Sequence, residues 1–389
     1  MNPILIIVGT RPEGIKMLPI YQVLRRENIP VLLVSTGQHT TLLDEVFEVF
    51  GIYPDIDLAL GEPNQDLSEL TQKVVGACKQ LYQKYKPSIV LVEGDTTTVM
   101  AAGLVAFYQR IPLGHVEAGL RTGDIYQPYP EELNRKIIGL IADYHFAPTS
   151  LPVANLLSEG VNRNSIFCTG NTVVDAFRII KEKIKNNELL IRDDLKTVIE
   201  QKRQEGKTIV LLTAHRRESF NGGIERILTT VKECAQEFPD LFFIYPYHPN
   251  PNVIQAIKTV GLNNCPHIYM TEPLKYKDFV YVLSAVDFVM TDSGGVQEEA
   301  ISLGRPTIVL REKTERIEGI WEGIAHLAGT DPHKIKSAIK EYTTTQHAPN
   351  SLYGDGFAAE KIVRILKNNV HENSNNYQLK STLLSAQML

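Results

Sequence analysis

Long apolar runs, blocks of like charge and closely spaced cysteines are all missing from this chain of 389 residues, and each absence removes a class of function. No stretch approaches the ~18 consecutive apolar residues of a transmembrane helix, so no membrane span is expected. Forty Lys and Arg stand against 45 Asp and Glu, a net charge of −5 with no basic block, which argues against nucleic acid as a partner. Cys78, Cys168, Cys234 and Cys265 lie far apart and form no Cys-x-x-Cys pair, which argues against zinc and redox motifs. They suit buried free thiols in a reducing cytoplasm. Met1 to Val8 has neither a basic stretch nor a cleavage site and reads as a first strand, not a signal peptide. The Gly-x-Gly-x-x-Gly fingerprint of dinucleotide binding is absent as well.

What remains is the profile of a globular protein. Apolar residues make up 43% and charged residues 22%, enough for a sizeable core, and the length suits two domains. Apolar runs of four to six residues alternate with longer amphipathic stretches, the pattern of βαβ units. Strands are expected at Ile4–Val8, Val31–Thr36, Ile89–Val92, Leu113–Val116 and His145–Ala147 in the first half. The second half repeats the plan at Thr208–Thr213, Leu241–Tyr245, Ile268–Met270, Phe288–Thr291 and Thr307–Leu310. Strands apolar on both faces imply parallel sheets covered by helices. The clearest helical stripe is Leu67, Leu70, Val74, Ala77 and Leu81. The charged stretch 181–206 reads as a helix followed by a connection near a domain boundary. A last packed helix is expected over Glu360–Leu366, with a polar tail after His371.

Ligands of open α/β sheets bind beyond the carboxyl ends of the strands, so the residues that follow each strand carry the functional signal. After the first strand, Gly9-Thr10-Arg11-Pro12-Glu13-Gly14-Ile15-Lys16 offers either backbone N–H groups and two cations to a phosphate, or a tight turn with solvated basic residues. Asp95, in Glu93-Gly94-Asp95-Thr96-Thr97-Thr98, is an acid at a strand end or a helix N-cap, and capping is the default for it alone. Glu117 ends an apolar strand, where a carboxylate is costly unless paired or functional. Glu131 or Glu132 would suit the first turn of a helix. Capping and dipole effects do not explain Asp95, Glu117 and Glu131 all falling at C-terminal strand edges; carboxylates gathered in one place push each other's pKa values apart, which assigns acid and base roles. In the second half, His215 follows a strand beside Arg216 and Arg217 and could contact phosphate, shuttle a proton or be structural. The proline-rich Tyr245–Pro251 reads as a rigid loop. The strongest single signal is Asp292-Ser293-Gly294-Gly295, a turn opening a helix whose N–H groups and dipole form an anion site suited to a diphosphate. Glu299 on that helix would face a pair of sugar hydroxyls, and the Arg311–Arg316 segment adds positive charge.

Taken in order, Gly9-Thr10-Arg11-Pro12-Glu13, Gly94-Asp95-Thr96-Thr97, His115-Val116-Glu117-Ala118-Gly119-Leu120-Arg121, Pro130-Glu131-Glu132, Gly170-Asn171-Thr172, His215-Arg216-Arg217-Glu218, Asp292-Ser293-Gly294-Gly295 and Thr314-Glu315-Arg316 resemble the non-hydrolysing UDP-N-acetylglucosamine 2-epimerases of bacteria. The resemblance runs from residue 3 to about residue 368. It implies a GT-B-like α/β fold of two Rossmann-like domains with parallel sheets and a cleft between them. The first domain would span 1–180 and be completed by a C-terminal helix at about 355–370; the UDP-binding domain would span 181–354, leaving 371–389 as a tail. It further implies a cytoplasmic homodimer that interconverts UDP-N-acetylglucosamine and UDP-N-acetylmannosamine through 2-acetamidoglucal and UDP, with no cofactor and no metal.

The catalytic positions of that family fall on Asp95, Glu117, Glu131 and His215, and its substrate-binding positions on Arg11, Lys16, Phe279, Ser293, Gly294, Gly295, Glu299 and Arg316. Three positions of an allosteric UDP-N-acetylglucosamine site match, at Gln38, Arg216 and His248. Thr41 and Asn64 stand where Gln and Arg are expected, so activation by a second substrate molecule is expected to be weak or absent. Three rival readings share these motifs: a 2-epimerase of another 2-acetamido UDP-sugar, a hydrolysing 2-epimerase, and a non-catalytic UDP-sugar-binding regulator. A glycosyltransferase is the generic reading of the fold alone.

Overall fold

The computed structural model describes residues 2–38, 40–62, 65–216, 219–220, 222–343 and 350–368. Asn64, Arg217, Glu218, the side chain of Thr41 and the tail after His371 lie outside the described residues. The chain divides into two compact units, Met1–Ala176 with Gly354–Leu389, and Phe177–Tyr353.

The first unit runs β1 (Ile4–Val8), α1 (Arg11–Arg26), β2 (Val31–Ser35), α2 (Thr40–Phe50), β3 (Ile56–Asp57), α3 (Leu67–Tyr85) and β4 (Ile89–Glu93). It continues through α4 (Thr97–Tyr108), β5 (Leu113–Val116), α5 (Glu131–Ile141), β6 (Tyr144–Ala147), α6 (Ser150–Ser158) and β7 (Ile166–Cys168). All seven strands pair in parallel in the order β3-β2-β1-β4-β5-β6-β7. β1 and β4 are buried at every position, which is why their sequences show no polar alternation. α4 packs against both α3 and α5. Its run Ala101-Ala102-Gly103 permits that approach, since a Cβ at Gly103 would meet Ile138 Cδ1 at 2.5 Å.

The boundary between the units falls within α7 (Thr172–Lys185). The second unit then runs α8 (Asp193–Gln204), β8 (Thr208–Thr213), α9 (Gly223–Glu237), β9 (Leu241–Pro246), α10 (Pro251–Val260), β10 (Ile268–Thr271) and α11 (Tyr276–Ala285). After these come β11 (Phe288–Thr291), α12 (Gly294–Ser302), β12 (Thr307–Val309), α13 (Ile317–Trp321), β13 (Ala325–Leu327) and α14 (Pro332–Tyr342). Its six strands are also parallel, in the order β10-β9-β8-β11-β12-β13. Both sheets therefore reverse strand order beside their first strand, β1/β4 in one and β8/β11 in the other, the switch point where Rossmann-like units take ligands. A last helix, α15 (358–368), belongs to the first unit. It buries Ala358, Ala359, Ile362, Val363 and Leu366, and the buried Asp175 carboxylate accepts its first free N–H groups, from Ala358 (3.1 Å) and Ala359 (2.8 Å).

The two parallel Rossmann-like sheets are those expected from the alternation of strand and helix patterns. Several details differ. β3, β7 and β13 have no counterpart among the expected strands, because strands of two or three residues at or near a sheet edge show no apolar run. α3 buries Leu70, Val74, Cys78, Leu81 and Tyr82. Leu67 lies outside this face at 41% exposure, while Tyr82 enters it with its hydroxyl bonded to the Ala102 carbonyl. The stretch expected to be a helix and a connection holds a second helix, α8, anchored on only Leu195 and Ile199, too sparse a stripe to stand out. Pro246 extends β9 instead of opening the loop, which is confined to 247–250 and ends in the Asn250 cap of α10. Of the four thiols expected to be buried, Cys168 is exposed, at the end of the edge strand β7; none of the four is in a disulfide.

Candidate functional site

In the first unit the groups of interest follow β1, β4 and β5. Helix α1 opens with Thr10 and Glu13 forming a capping box and Pro12 in its first turn. Glu13 is buried, and its carboxylate accepts from the Gly9 and Thr10 N–H groups and from the Thr96 hydroxyl. Thr96 in turn accepts the Val99 N–H at 3.2 Å and so caps α4. One side chain thus ties the β1 loop to the β4 loop. Burial raises the Glu13 pKa to about 7 despite those three donors. Arg11 sits half-buried at the start of α1.

Asp95 is not the cap that its position first suggested. Thr96 takes that role, and Asp95 Oδ2 accepts from Arg135 Nε at 2.8 Å and Nη2 at 2.6 Å. Asn134 Nδ2 donates to the Asp95 carbonyl at 2.8 Å. Both partners lie on α5, three and four residues beyond Glu131, so α5 carries its first residue, Glu131, to the β4 loop. Glu132, the alternative first-turn acid, is fully buried and structural: it binds Arg135 Nη1 at 2.9 Å and the Thr122 and Gly123 N–H groups. Glu131 is half-buried.

Glu117 is held in the left-handed region, with φ of 62°, directly after β5. A residue with a side chain occupies that region at a cost, of order 1 kcal/mol, and does so mainly where the surroundings enforce it. The enforcing contacts are Lys16 Nζ, 2.5 Å from Glu117 Oε1, and Asn171 Nδ2, 2.9 Å from the same oxygen. Lys16 Nζ also lies 2.8 Å from Glu93 Oε1. Lys16, Glu93 and Glu117 are 6%, 2% and 8% exposed. The Glu93 carboxyl is raised well above its ordinary pKa by burial and by Glu117, with Lys16 opposing. His115 Nε2 lies 2.7 Å from the Gly94 carbonyl, and burial lowers its pKa to about 3. His145, its cross-strand neighbour, is lowered to about 4. Both rings are neutral at pH 7.

In the second unit the corresponding positions follow β8 and β11. Asp292 Oδ2 accepts from the His215 N–H (2.5 Å) and the Arg216 N–H (2.6 Å), and Oδ1 lies 3.4 Å from His215 Nδ1. The two strand-end hydroxyls, Thr213 and Thr291, are 2.6 Å apart, and Thr291 also accepts the Ser293 N–H at 3.0 Å. His248 stacks on His215 with centroids 5.2 Å apart, and burial and His215 lower its pKa. Ser293 stands at the N-cap position of α12, which begins at Gly294, without a capping bond from its side chain. A Cβ at Gly294 would stand 2.5 Å from Arg316 Nη1, so the first glycine makes room for that guanidinium; Gly295 faces open space and leaves the backbone accessible. Packing against Arg316 thus accounts for Gly294 but not for Gly295.

Arg316 is buried between Glu298 (Nε to Oε1, 2.9 Å) and Glu315. Glu299 receives the Tyr276 hydroxyl at 2.9 Å, so one of the oxygens expected to face sugar hydroxyls is already engaged. Tyr276 stacks at 6.5 Å on half-buried Phe279.

The structure thus brings Lys16 and Glu117 into contact in one unit, and His215 against His248 in the other. Gln38, which accepts the Thr98 hydroxyl at 2.8 Å, lies in the first unit, whereas Arg216 and His248 lie in the second. Sequence reasoning gave no role to Glu13, Glu93, Arg135, Asn171 or Asp292. Glu93 carried the same signal as Glu117, a carboxylate closing an apolar strand. Among the described residues, no three His, Cys, Asp or Glu side chains are grouped to hold a metal ion, and no helix is long and apolar enough to cross a membrane.

A family model described as UDP-N-acetylglucosamine 2-epimerase matches residues 22–367. The chain is 45% identical over 381 residues to a UDP-N-acetylglucosamine 2-epimerase of Campylobacter jejuni, covering 95% of this chain and 99% of that one. Among solved structures it resembles a UDP-GlcNAc 2-epimerase from Neisseria meningitidis bound to UDP-GlcNAc, with 39% identity, a TM-score of 0.86 and coverage of 94% and 100%. It also resembles the Methanocaldococcus jannaschii enzyme in complex with UDP-GlcNAc and UDP, with 34% identity, a TM-score of 0.79 and coverage of 94% and 99%.

Proposed function

The chain belongs to the UDP-N-acetylglucosamine 2-epimerase family, and from that premise we propose that it interconverts UDP-N-acetylglucosamine and UDP-N-acetylmannosamine by eliminating and re-adding UDP. The observation that carries the reading is the pair of held carboxylates: Asp95 fixed by Arg135 beyond β4, and Glu117 fixed by Lys16 and Asn171 beyond β5. Binding alone would need neither the buried pairing nor the strained backbone at Glu117.

The proton at sugar C2 is not next to a carbonyl, and its direct removal is prohibitive. When the C1–O bond breaks, its electron pair leaves with UDP and positive charge develops at C1. A carboxylate then takes the C2 proton, and the C–H electrons form the C1–C2 double bond of 2-acetamidoglucal. Re-addition reverses both bonds, with the proton delivered to the opposite face of C2, so acid/base groups must serve both faces. Asp95, Glu117 and Glu131 are proposed for these transfers. In the second unit the open backbone at Gly295, the α12 N-terminus, Ser293 and Arg316 would receive the diphosphate, whose charge grows as it departs. His215, oriented by Asp292, would assist there, and Phe279 and Glu299 would hold the remainder of the nucleotide.

The reaction needs no cofactor, and we place it in the cytoplasm. A homodimer is proposed through the exposed apolar surface of Phe107 and Tyr108 on α4 with Leu133 and Leu140 on the adjacent α5. Incubating the purified protein with UDP-N-acetylglucosamine alone tests the activity. UDP-N-acetylmannosamine as the product supports the reading. Free UDP with free N-acetylmannosamine would identify a hydrolysing enzyme, and no turnover by a UDP-binding sample would leave a different 2-acetamido UDP-sugar or a binding role.

A further inference from the structure

Helix α1 needs only one oxygen of Glu13. Oε2 accepts the N–H groups of Gly9 and Thr10 (the latter at 3.0 Å), which completes the capping box and takes two donors the loop could have offered to a phosphate. Oε1 goes elsewhere, to the Thr96 hydroxyl 83 residues along the chain. Thr96 caps α4 by accepting the Val99 N–H at 3.2 Å, a task that leaves its hydroxyl proton for Glu13. The bond survives either state of Glu13: a carboxylate accepts from the hydroxyl, and a carboxyl group donates to it. Glu13 is 1% exposed, so the bond is shielded from water.

Thr96 follows Asp95 directly, and the sheet order places β4 between β1 and β5. On the β5 side the loop is fixed at three points. His115 Nε2 holds the Gly94 carbonyl at 2.7 Å, Asn134 Nδ2 holds the Asp95 carbonyl at 2.8 Å, and Arg135 holds the Asp95 carboxylate. Glu13 supplies a hold from the β1 side. A carboxylate that exchanges a proton with a substrate carbon must be placed closely, since a shift of ~1 Å can cost ~100-fold in rate. The Asp95 side chain keeps 21% exposure, so it stays open to a ligand while its loop is held from both sides.

We propose that Glu13 is a positioning residue for Asp95, fixing it through the Thr96 hydroxyl at the distance its proton transfer requires. This inference rests on the 2-epimerase reading, in which Asp95 is one of the proton-transferring carboxylates.

Glu13→Ala cuts the link, and Thr96→Ala cuts it at its half-buried end should the first variant fail to fold. With kcat counted per molecule that binds UDP in calorimetric titration, each is expected to lower kcat tenfold or more and to leave KM within threefold. The double variant should lose no more than the worse single one, because both remove the same bond. Glu13→Gln, whose amide donates to the Thr96 oxygen, should recover most of the rate. Unchanged kcat in a folded Glu13→Ala or Thr96→Ala protein would overturn the proposal, and so would losses that multiply in the double variant. Amide hydrogen exchange in the substrate-free protein reads the link without turnover. The N–H groups of Gly94, bonded to the Val116 carbonyl, and of Val99 should exchange at least tenfold faster in Glu13→Ala and at the wild-type rate in Glu13→Gln. A wild type that binds UDP without epimerising would fail the functional reading; the exchange rates would still decide whether Glu13 holds the Asp95 loop.

Discussion

Replacing Glu13 with Gln should make the protein more stable at pH 8 than the wild type and leave the two nearly equal at pH 4.5. Glu13 is 1% exposed, and its pKa moves from 4.5 to about 7 on folding. A group raised in this way binds its proton more tightly in the fold, so its favourable contribution is complete below pH 4.5. That contribution is lost as the pH climbs through 7. A tenfold change in proton affinity corresponds to about 1.4 kcal/mol, so the rise from 4.5 to about 7 gives about 3 kcal/mol between the two limits. Gln mimics the protonated form: its oxygen can accept the Gly9 and Thr10 N–H groups, and its amide can donate to the Thr96 hydroxyl, which already caps α4. At about 2–4 °C per kcal/mol for a domain of this size, the melting temperature of Glu13→Gln relative to wild type should rise by roughly 6–12 °C between pH 4.5 and pH 8. Differential scanning calorimetry of both proteins across that range measures it, and other titrating groups cancel in the difference. A difference that stays flat with pH would refute the argument.

Other consequences follow from the same geometry. Arg135→Met strands Asp95 and the fully buried Glu132, at a cost of about 3–5 kcal/mol in chemical unfolding, whereas Arg135→Lys retains one charge and should lose less. Gly294→Ala pushes Arg316 off its place beside Glu298 and should weaken UDP binding ten- to a hundred-fold by calorimetric titration, at about 1.5–3 kcal/mol for a charge-assisted bond. His115 and His145 are lowered in the fold, so the stability they support is complete above pH 6.5 and falls as the pH drops toward 3–4; His115→Gln should flatten the acid limb of an unfolding curve between pH 6.5 and 4.

The sequence displays its fold most clearly in the buried inner strands: β1, β5, β8 and β11 begin and end at the residues expected for them. β3, β7 and β13 are short and lie at or near sheet edges, and their pairing depends on neighbours already in place. At the site, position after a strand was enough to single out Asp95, Glu117 and His215. What fixes those groups was not legible, because Arg135, Lys16 and Asn171 reach across 40, 101 and 54 residues of sequence. Lys16 and Arg316 read as free cations for phosphate, and only the structure shows both already paired with buried carboxylates.

The central claim is tested most directly by proton NMR of the purified protein with UDP-N-acetylglucosamine in deuterated buffer, without added cofactor. The expected result is UDP-N-acetylmannosamine carrying deuterium at C2, with deuterium also entering the C2 position of the remaining substrate, and both processes abolished by Glu117→Gln. Conversion with the C2 proton retained would contradict proton transfer through the protein's carboxyl groups, and with it the mechanism proposed for this site.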